Sequence, residues 1–150
     1  MINQFSIYSI VFILFCIASV SGCDSSEDEL ALRSNIAAMR KAITSHQPEQ
    51  LMQHIDPSYK SPSHPNFKSL NTFVNFHLNN NRVIHLYLAD IEIEFDGDIA
   101  KIIFYSGVAG GPEQIPKRGK LFKVGTHWLK TNGQWKVTQA KWRPALIIKQ

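Results

Sequence analysis

The sequence predicts an α+β domain in which three N-terminal helices pack against one face of a mostly antiparallel sheet. Between residues 27 and 81, apolar residues recur at helical spacing. From residue 83 onward they alternate with polar residues, and the hairpin signals Asp96-Gly97 and Asn132-Gly133 interrupt the alternation. A run of helices followed by a run of strands is typical of the α+β class.

The first helix is predicted to begin at a capping box, Ser26-Glu27-Asp28-Glu29. The serine hydroxyl can accept a hydrogen bond from a free backbone N–H of the first turn, while the second glutamate reaches back. The apolar stripe that follows consists of Leu32, Ile36, Met39 and Ile43. The pattern predicts that the helix ends near Ser45.

Two further helices are predicted before residue 82. Proline is favourable in the first turn of a helix, so Pro48 should open a short helix that stops at Asp56-Pro57. This helix and the first should form a hairpin. A third helix is predicted to end at Asn79-Asn80-Asn81, and its apolar positions are Leu70, Phe73, Val74 and Leu78.

Four strands are predicted at residues 83–95, 99–108, 120–130 and 134–143. Because side chains alternate between the two faces of a sheet, the pattern also predicts which residues face the helices. These are Ile91, Ile93, Ala100, Ile102, Phe104, Val124, Thr126, Trp128, Trp135 and Val137. A bulge would reverse part of this assignment. The apolar tail at residues 145–148 can extend the sheet or join a dimer interface.

Residues 1–22 are predicted to be a signal peptide. Residues 5–20 are apolar or small, and no acidic or basic residue precedes Asp24. The run is shorter than the roughly 20 apolar residues that a spanning helix needs. The tetrapeptide Val20-Ser21-Gly22-Cys23 resembles the bacterial lipobox, which implies cleavage before Cys23 and acylation of its thiol. Ordinary secretion with cleavage after Ser19-Val20-Ser21 is the alternative.

The lipobox resemblance implies a protein of the bacterial cell envelope that faces the periplasm and is held to the membrane through Cys23. Asp24 resembles an inner-membrane retention signal, which favours that membrane. The predicted organisation is therefore a signal peptide at 1–22, a lipidated tether at 23–26 and one domain at 27–150. The only cysteines are Cys16 and Cys23, so the mature domain has no intramolecular disulfide.

Charge and histidine content argue against several kinds of site. The chain has 16 basic and 12 acidic residues. The basic residues are dispersed, apart from the group Lys117-Arg118-Lys120. Because they form no extended basic patch, we expect no nucleic-acid binding. The six histidines show no metal-ligand spacing. The glycine-rich residues 107–116 lack the Lys and Ser/Thr of a phosphate loop. We expect neither a metal nor a cofactor.

Four features of the chain are relevant together: the predicted helical hairpin, Tyr59 and Pro62 after it, the segment Gly97-Asp98-Ile99-Ala100, and residues 126–137. In this combination the chain resembles the nuclear transport factor 2-like superfamily. This superfamily includes SnoaL-like and ketosteroid isomerase-like proteins, and the resemblance covers about residues 27–143. It implies a cone-shaped, cystatin-like fold, with the helices in the concave face of a curved sheet. It also implies a pocket at the wide end and, in many members, a homodimer through the outer sheet face.

The resemblance suggests residues that line the pocket but identifies no catalytic residues. The candidates are Tyr59, His85, Tyr87, Thr126, Trp128 and Gln139. No base beside a polar donor can be matched by position, so the first hypothesis is a non-catalytic domain that binds a small apolar ligand. The second is an isomerase, dehydratase or hydrolase that uses His85, Tyr59 or Asp56. The third is a protein-interaction module without a pocket.

Overall fold

The computed structural model describes residues 24–81, 83–110 and 119–148. Three helices precede four strands, in the predicted order. They are α1 (Asp24–Thr44), α2 (Pro48–Met52), α3 (Phe67–Asn80), β1 (Ile84–Asp96), β2 (Ile99–Gly110), β3 (Gly119–Thr131) and β4 (Gln134–Ile148). The α+β fold class is confirmed. The predicted signal peptide, the acylated Cys23 and the pair Lys117-Arg118 lie outside the described residues.

Helix α1 differs from the prediction at its start. It begins at Asp24, so Ser26 lies in the first turn and the predicted capping box is wrong. The carboxylate of Glu29 pairs with Arg33 one turn later, at 2.8 Å, where the box would have it reach back to Ser26. The predicted apolar stripe is confirmed, because Leu32 and Ile36 are buried and Met39 and Ile43 pack against the core.

Helices α2 and α3 hold the chain over the sheet. Pro48 occupies the first turn of α2 as predicted. After α2, the backbone N–H of Asp56 donates to the carbonyl of Val137 at 2.9 Å, and the Val137 N–H donates to the carbonyl of His54 at 2.9 Å. Helix α3 is capped by Asn66 and buries Leu70, Val74 and Leu78.

Within the described ranges, no helix is long and apolar enough to cross a membrane.

The four strands form one antiparallel sheet in the order β1-β2-β3-β4. Gly97 has a φ of 58°, while Asn132 and Gly133 have φ of 52° and 75°, as tight hairpin turns require. Strand β4 runs five residues past the predicted end, and its last residues pair with the start of β3. The apolar tail therefore extends the sheet.

Bulges keep the apolar residues on the inner face of the curved sheet. In β1 the register shifts between Ala89 and Glu92, and Asp90 has a φ of 52°. Even-numbered residues face the helices before this point and odd-numbered residues after it. Strand β4 has two extra residues, Thr138 and, near its end, Ala145, and the inward positions change from odd to even at Thr138. All ten residues predicted to face the helices do so.

Candidate functional site

The helices leave part of the inner sheet face uncovered, which creates a cavity of about 410 Å³. All three helices and all four strands contribute to its wall. Its closed end lies at Tyr59, Trp128 and Val137, which are 1 %, 2 % and 1 % exposed. We call this end the floor. Its open end, the mouth, consists of the wall residues that are themselves exposed, namely Arg40, Phe73, Val108 and Trp142.

The wall is apolar because the strands place every second residue in it. Strand β2 contributes Phe104, Ser106 and Val108, and strand β3 contributes Phe122, Val124, Thr126 and Trp128. Among these inward positions only Ser106 and Thr126 are polar, and both are buried. Thr126 is already bonded, since its Oγ1 accepts a hydrogen bond from Nε1 of Trp128 at 2.8 Å. A ligand would therefore meet mainly hydrocarbon.

The hydroxyl of Tyr59 is a buried polar group without a hydrogen-bond partner. Among the described residues, its Oη is the only such buried side-chain atom. The side chain of Ser61 and the backbone of Ala140 lie near it, but neither is in hydrogen-bond geometry with it. Burial outweighs these neighbours and raises the pKa of Tyr59. At neutral pH the phenol is protonated and can donate a hydrogen bond.

Carboxylates and imidazoles are absent from the described part of the wall, where the titratable side chains are Arg40 and Tyr59. Asp56 lies in the turn after α2, outside the wall, and its carboxylate accepts hydrogen bonds from the hydroxyl and backbone N–H of Ser58. These bonds lower the pKa of Asp56. Within the residues that the structure resolves in detail, no three His, Cys, Asp or Glu side chains form a metal-binding group.

Three of the six predicted pocket residues lie in the wall, namely Tyr59, Thr126 and Trp128. They come together from the turn after α2 and from the inner face of β3. Their lining position is therefore a feature of the structure. Contact with a ligand stays a prediction.

The other three predicted pocket residues, His85, Tyr87 and Gln139, lie outside the wall. The structure therefore corrects their predicted position in the pocket. In β1 the wall is formed by Ile84, Leu86 and Leu88, so alternation directs His85 and Tyr87 to the other face. Gln139 pairs with His127 on the outer face, because the bulge at Thr138 brings Ala140 into the wall in its place.

Sequence reasoning missed the aromatic residues of the mouth. Phe73 of α3 and Trp142 of β4 lie with ring centroids 6.4 Å apart. His64 contacts both rings, at 4.5 and 5.6 Å, and His77 lies 4.3 Å from Phe73. Burial, followed by the influence of His77, lowers the pKa of His64. The change from odd to even apolar positions around Thr138 is the sequence signal that would have identified Trp142 as inward.

Comparisons with known proteins identify the fold. No protein-family model matches the chain, and no curated protein matches it. Among solved structures, Bd1075 of Bdellovibrio bacteriovorus has a TM-score of 0.71 at 16 % identity, covering 85 % of this chain. The chain spans only 44 % of that protein.

Two other solved structures match over nearly their full length. An NTF2-like protein of unknown function from Pseudomonas putida KT2440 has a TM-score of 0.70 at 12 % identity, covering 78 % of this chain and 86 % of its own. The hexachlorocyclohexane dehydrochlorinase LinA-type3 of Novosphingobium barchaimii has a TM-score of 0.70 at 13 % identity. The match covers 85 % of this chain and 93 % of that protein. At such identities the likeness establishes the fold alone.

Proposed function

We propose that this protein binds a small, mainly apolar ligand as a lipid-anchored domain of the bacterial cell envelope. The premise of this proposal is that the described domain has the nuclear transport factor 2-like fold. The observation that carries the binding role is the apolar cavity with the unpartnered Tyr59 hydroxyl in its wall. Its volume of about 410 Å³ lies within the range of small-molecule sites. The cavity also favours binding over an interaction module without a pocket.

The titratable groups of the wall favour binding over catalysis. Isomerases and dehydratases need a base placed beside a polar donor in a dry pocket. The guanidinium of Arg40 donates hydrogen bonds and has no acceptor, and the raised pKa of Tyr59 keeps its phenol neutral. Neither group is placed to act as a general base. His85 and Asp56, the bases that the enzyme hypothesis would use, lie outside the wall.

The anchor part of the proposal is supported by the lipobox-like segment Val20-Ser21-Gly22-Cys23. Helix α1 begins at Asp24, the next residue, so acyl chains on Cys23 would hold the domain directly at the membrane surface. Stable anchoring needs more than one acyl chain, as lipoproteins carry. Asp24 favours the inner membrane.

Intact mass of the protein from the membrane fraction tests the anchor. We expect the wild-type protein to have the mass of residues 23–150 plus acyl groups, and Cys23→Ser to lack the acyl groups. An unacylated wild-type product, cut at another position, would show that the protein is secreted without an anchor.

A tryptophan placed in the cavity tests the ligand role. Ala140 lies in the wall, whereas its neighbour Gln139 lies on the opposite face, so Ala140→Trp and Gln139→Trp form a matched pair. The full-length protein in lipid nanodiscs is photolabelled with a long-chain alcohol that carries a diazirine and an alkyne. We expect Ala140→Trp to reduce labelling of the wall peptides at least about tenfold, because the indole occupies ligand space. Gln139→Trp should label like the wild type.

Melting curves by circular dichroism accompany the labelling, so that lost binding and lost folding are distinguished. If Ala140→Trp melts at a lower temperature than the wild type, the labelling experiment uses Ser106→Leu in place of Ala140→Trp. The leucine fills part of the cavity with a smaller apolar group. Equal labelling of the wild type and a folded cavity-filling variant would overturn the ligand role.

A further inference from the structure

Arg40 is the one charged side chain in the described part of the cavity wall, and it lies at the mouth. It follows Ile36 by four residues, so both lie on the side of α1 that faces the sheet. With the residues that the structure describes, the Arg40 guanidinium forms no ion pair. Arg33 on the same helix, by contrast, pairs with Glu29 at 2.8 Å.

A second cation lies on the same inner surface beside the mouth. Lys120 is paired with Val108 across β2 and β3, and directly paired residues point to the same face of a sheet. It precedes the wall residue Phe122 by two positions, and its side chain is exposed. The described wall contains no carboxylate that would neutralise this cation or Arg40.

The interior of the cavity cannot accept a charge. Its polar groups are the hydroxyls of Tyr59, Ser106 and Thr126, and the rest of the interior surface is almost entirely hydrocarbon. An ionised group moved into such surroundings loses its hydration without a compensating charge. A charged ligand group is therefore confined to the mouth, where the available charges are positive.

We propose that the cavity binds a small anionic amphiphile, with its hydrocarbon body on the apolar wall and its carboxylate or phosphate head on Arg40 at the mouth. Lys120 is the second cation for the head. This assignment rests on the proposed ligand role and specifies the chemistry of the ligand. A guanidinium suits an anionic head group, because guanidinium groups form paired, charge-assisted hydrogen bonds with carboxylates and phosphates.

Photolabelling with head-group variants tests this assignment. Three probes share one diazirine-bearing alkyl chain with an alkyne and end in a carboxylate, a phosphate or an alcohol. The full-length protein is placed in nanodiscs of zwitterionic lipid, so that the bilayer itself has no net charge. Arg40→Gln is compared with Lys41→Gln, which removes the same charge from the next residue of α1, outside the wall.

We expect an anionic probe to label the wall peptides of the wild type more strongly than the alcohol. Arg40→Gln should reduce labelling by the anionic probes about five- to tenfold and leave the alcohol unchanged, as the loss of a charge-assisted bond requires. Lys41→Gln should leave all three probes unchanged. Lys120→Gln should reduce anionic labelling less than Arg40→Gln, and the stronger anionic probe identifies the head group.

Different failures have different meanings. Equal labelling by anions and alcohol, unaffected by Arg40→Gln, overturns the anionic amphiphile and leaves the ligand role intact. A loss in Lys41→Gln as large as that in Arg40→Gln also overturns it, because the effect would then belong to general surface charge. Absence of wall labelling by every probe overturns this assignment together with the ligand role.

Discussion

Replacing Trp128 with alanine is expected to lower the free energy of unfolding by about 3 to 5 kcal/mol, the usual loss for a large buried aromatic residue. Trp128 is 2 % exposed and forms part of the cavity floor. Its indole N–H donates to Oγ1 of Thr126 at 2.8 Å, so the substitution removes a buried hydrogen bond as well as packing. Urea denaturation of both proteins measures the change.

Trp142→Ala is the matched control, because Trp142 lies at the mouth of the same cavity and is 36 % exposed. Its loss should cost clearly less than that of Trp128, about 1 to 2 kcal/mol, since much of its ring already contacts solvent. Equal losses for the two tryptophans would contradict the assignment of Trp128 to the floor and Trp142 to the mouth.

The strands and their inner face could be predicted because alternation is a local property of the chain. Residues 84–88 also contain the signal that places His85 correctly. Ile84, Leu86 and Leu88 are all aliphatic, and their even numbering conflicts with the inward odd positions Ile91 and Ile93. Such a conflict requires a bulge between them, and the structure has one at Asp90. An aspartate tolerates the positive φ found there better than most residues do.

The cavity itself could not be predicted, because its volume depends on the distance between the helices and the sheet. No local pattern encodes that distance. The position of Arg40 was missed for a related reason, since the predicted apolar stripe of α1 consists of Leu32, Ile36, Met39 and Ile43 and does not include it. Arg40 lies one turn after Ile36 and so borders the same surface. A polar residue at the edge of a stripe can therefore belong to a pocket.

Asp28, which lies within the predicted capping box, has a tertiary role that the box does not describe. In the box pattern the reciprocal hydrogen bonds belong to Ser26 and Glu29, and Asp28 lies between them. In the structure its carboxylate accepts a hydrogen bond from Nε1 of Trp135 at 2.9 Å and contacts Nζ of Lys130 at 2.8 Å. It thus links the start of α1 to the β3–β4 hairpin, a contact between residues about a hundred positions apart that local spacing cannot reveal.

Asp28→Ala is expected to lower the free energy of unfolding by about 2 to 3 kcal/mol, because a bond to a charged acceptor is lost and a buried N–H keeps no partner. Trp135 is 3 % exposed, so its indole N–H has little access to water as a replacement. Glu29→Ala is the control, since it breaks only the exposed pair with Arg33. That change should cost less than about 1 kcal/mol.

The pH dependence separates the charge of Asp28 from its packing. The hydrogen bond from Lys130, and then the one from Trp135, lower the pKa of Asp28 below its ordinary value of 3.8. The folded protein therefore binds this proton less readily than the unfolded chain. Its stabilising contribution is complete above pH 3.8 and is lost as the pH falls through the lower pKa of the folded state.

Urea denaturation of the wild type and Asp28→Ala at a series of pH values tests this dependence. We expect the difference between them to be constant from about pH 7 to about pH 5 and to shrink in more acidic solution, as proton linkage requires. A difference that stays constant throughout would show that packing, and not the ionised carboxylate, accounts for the effect. The link between α1 and the hairpin would then depend on shape rather than charge.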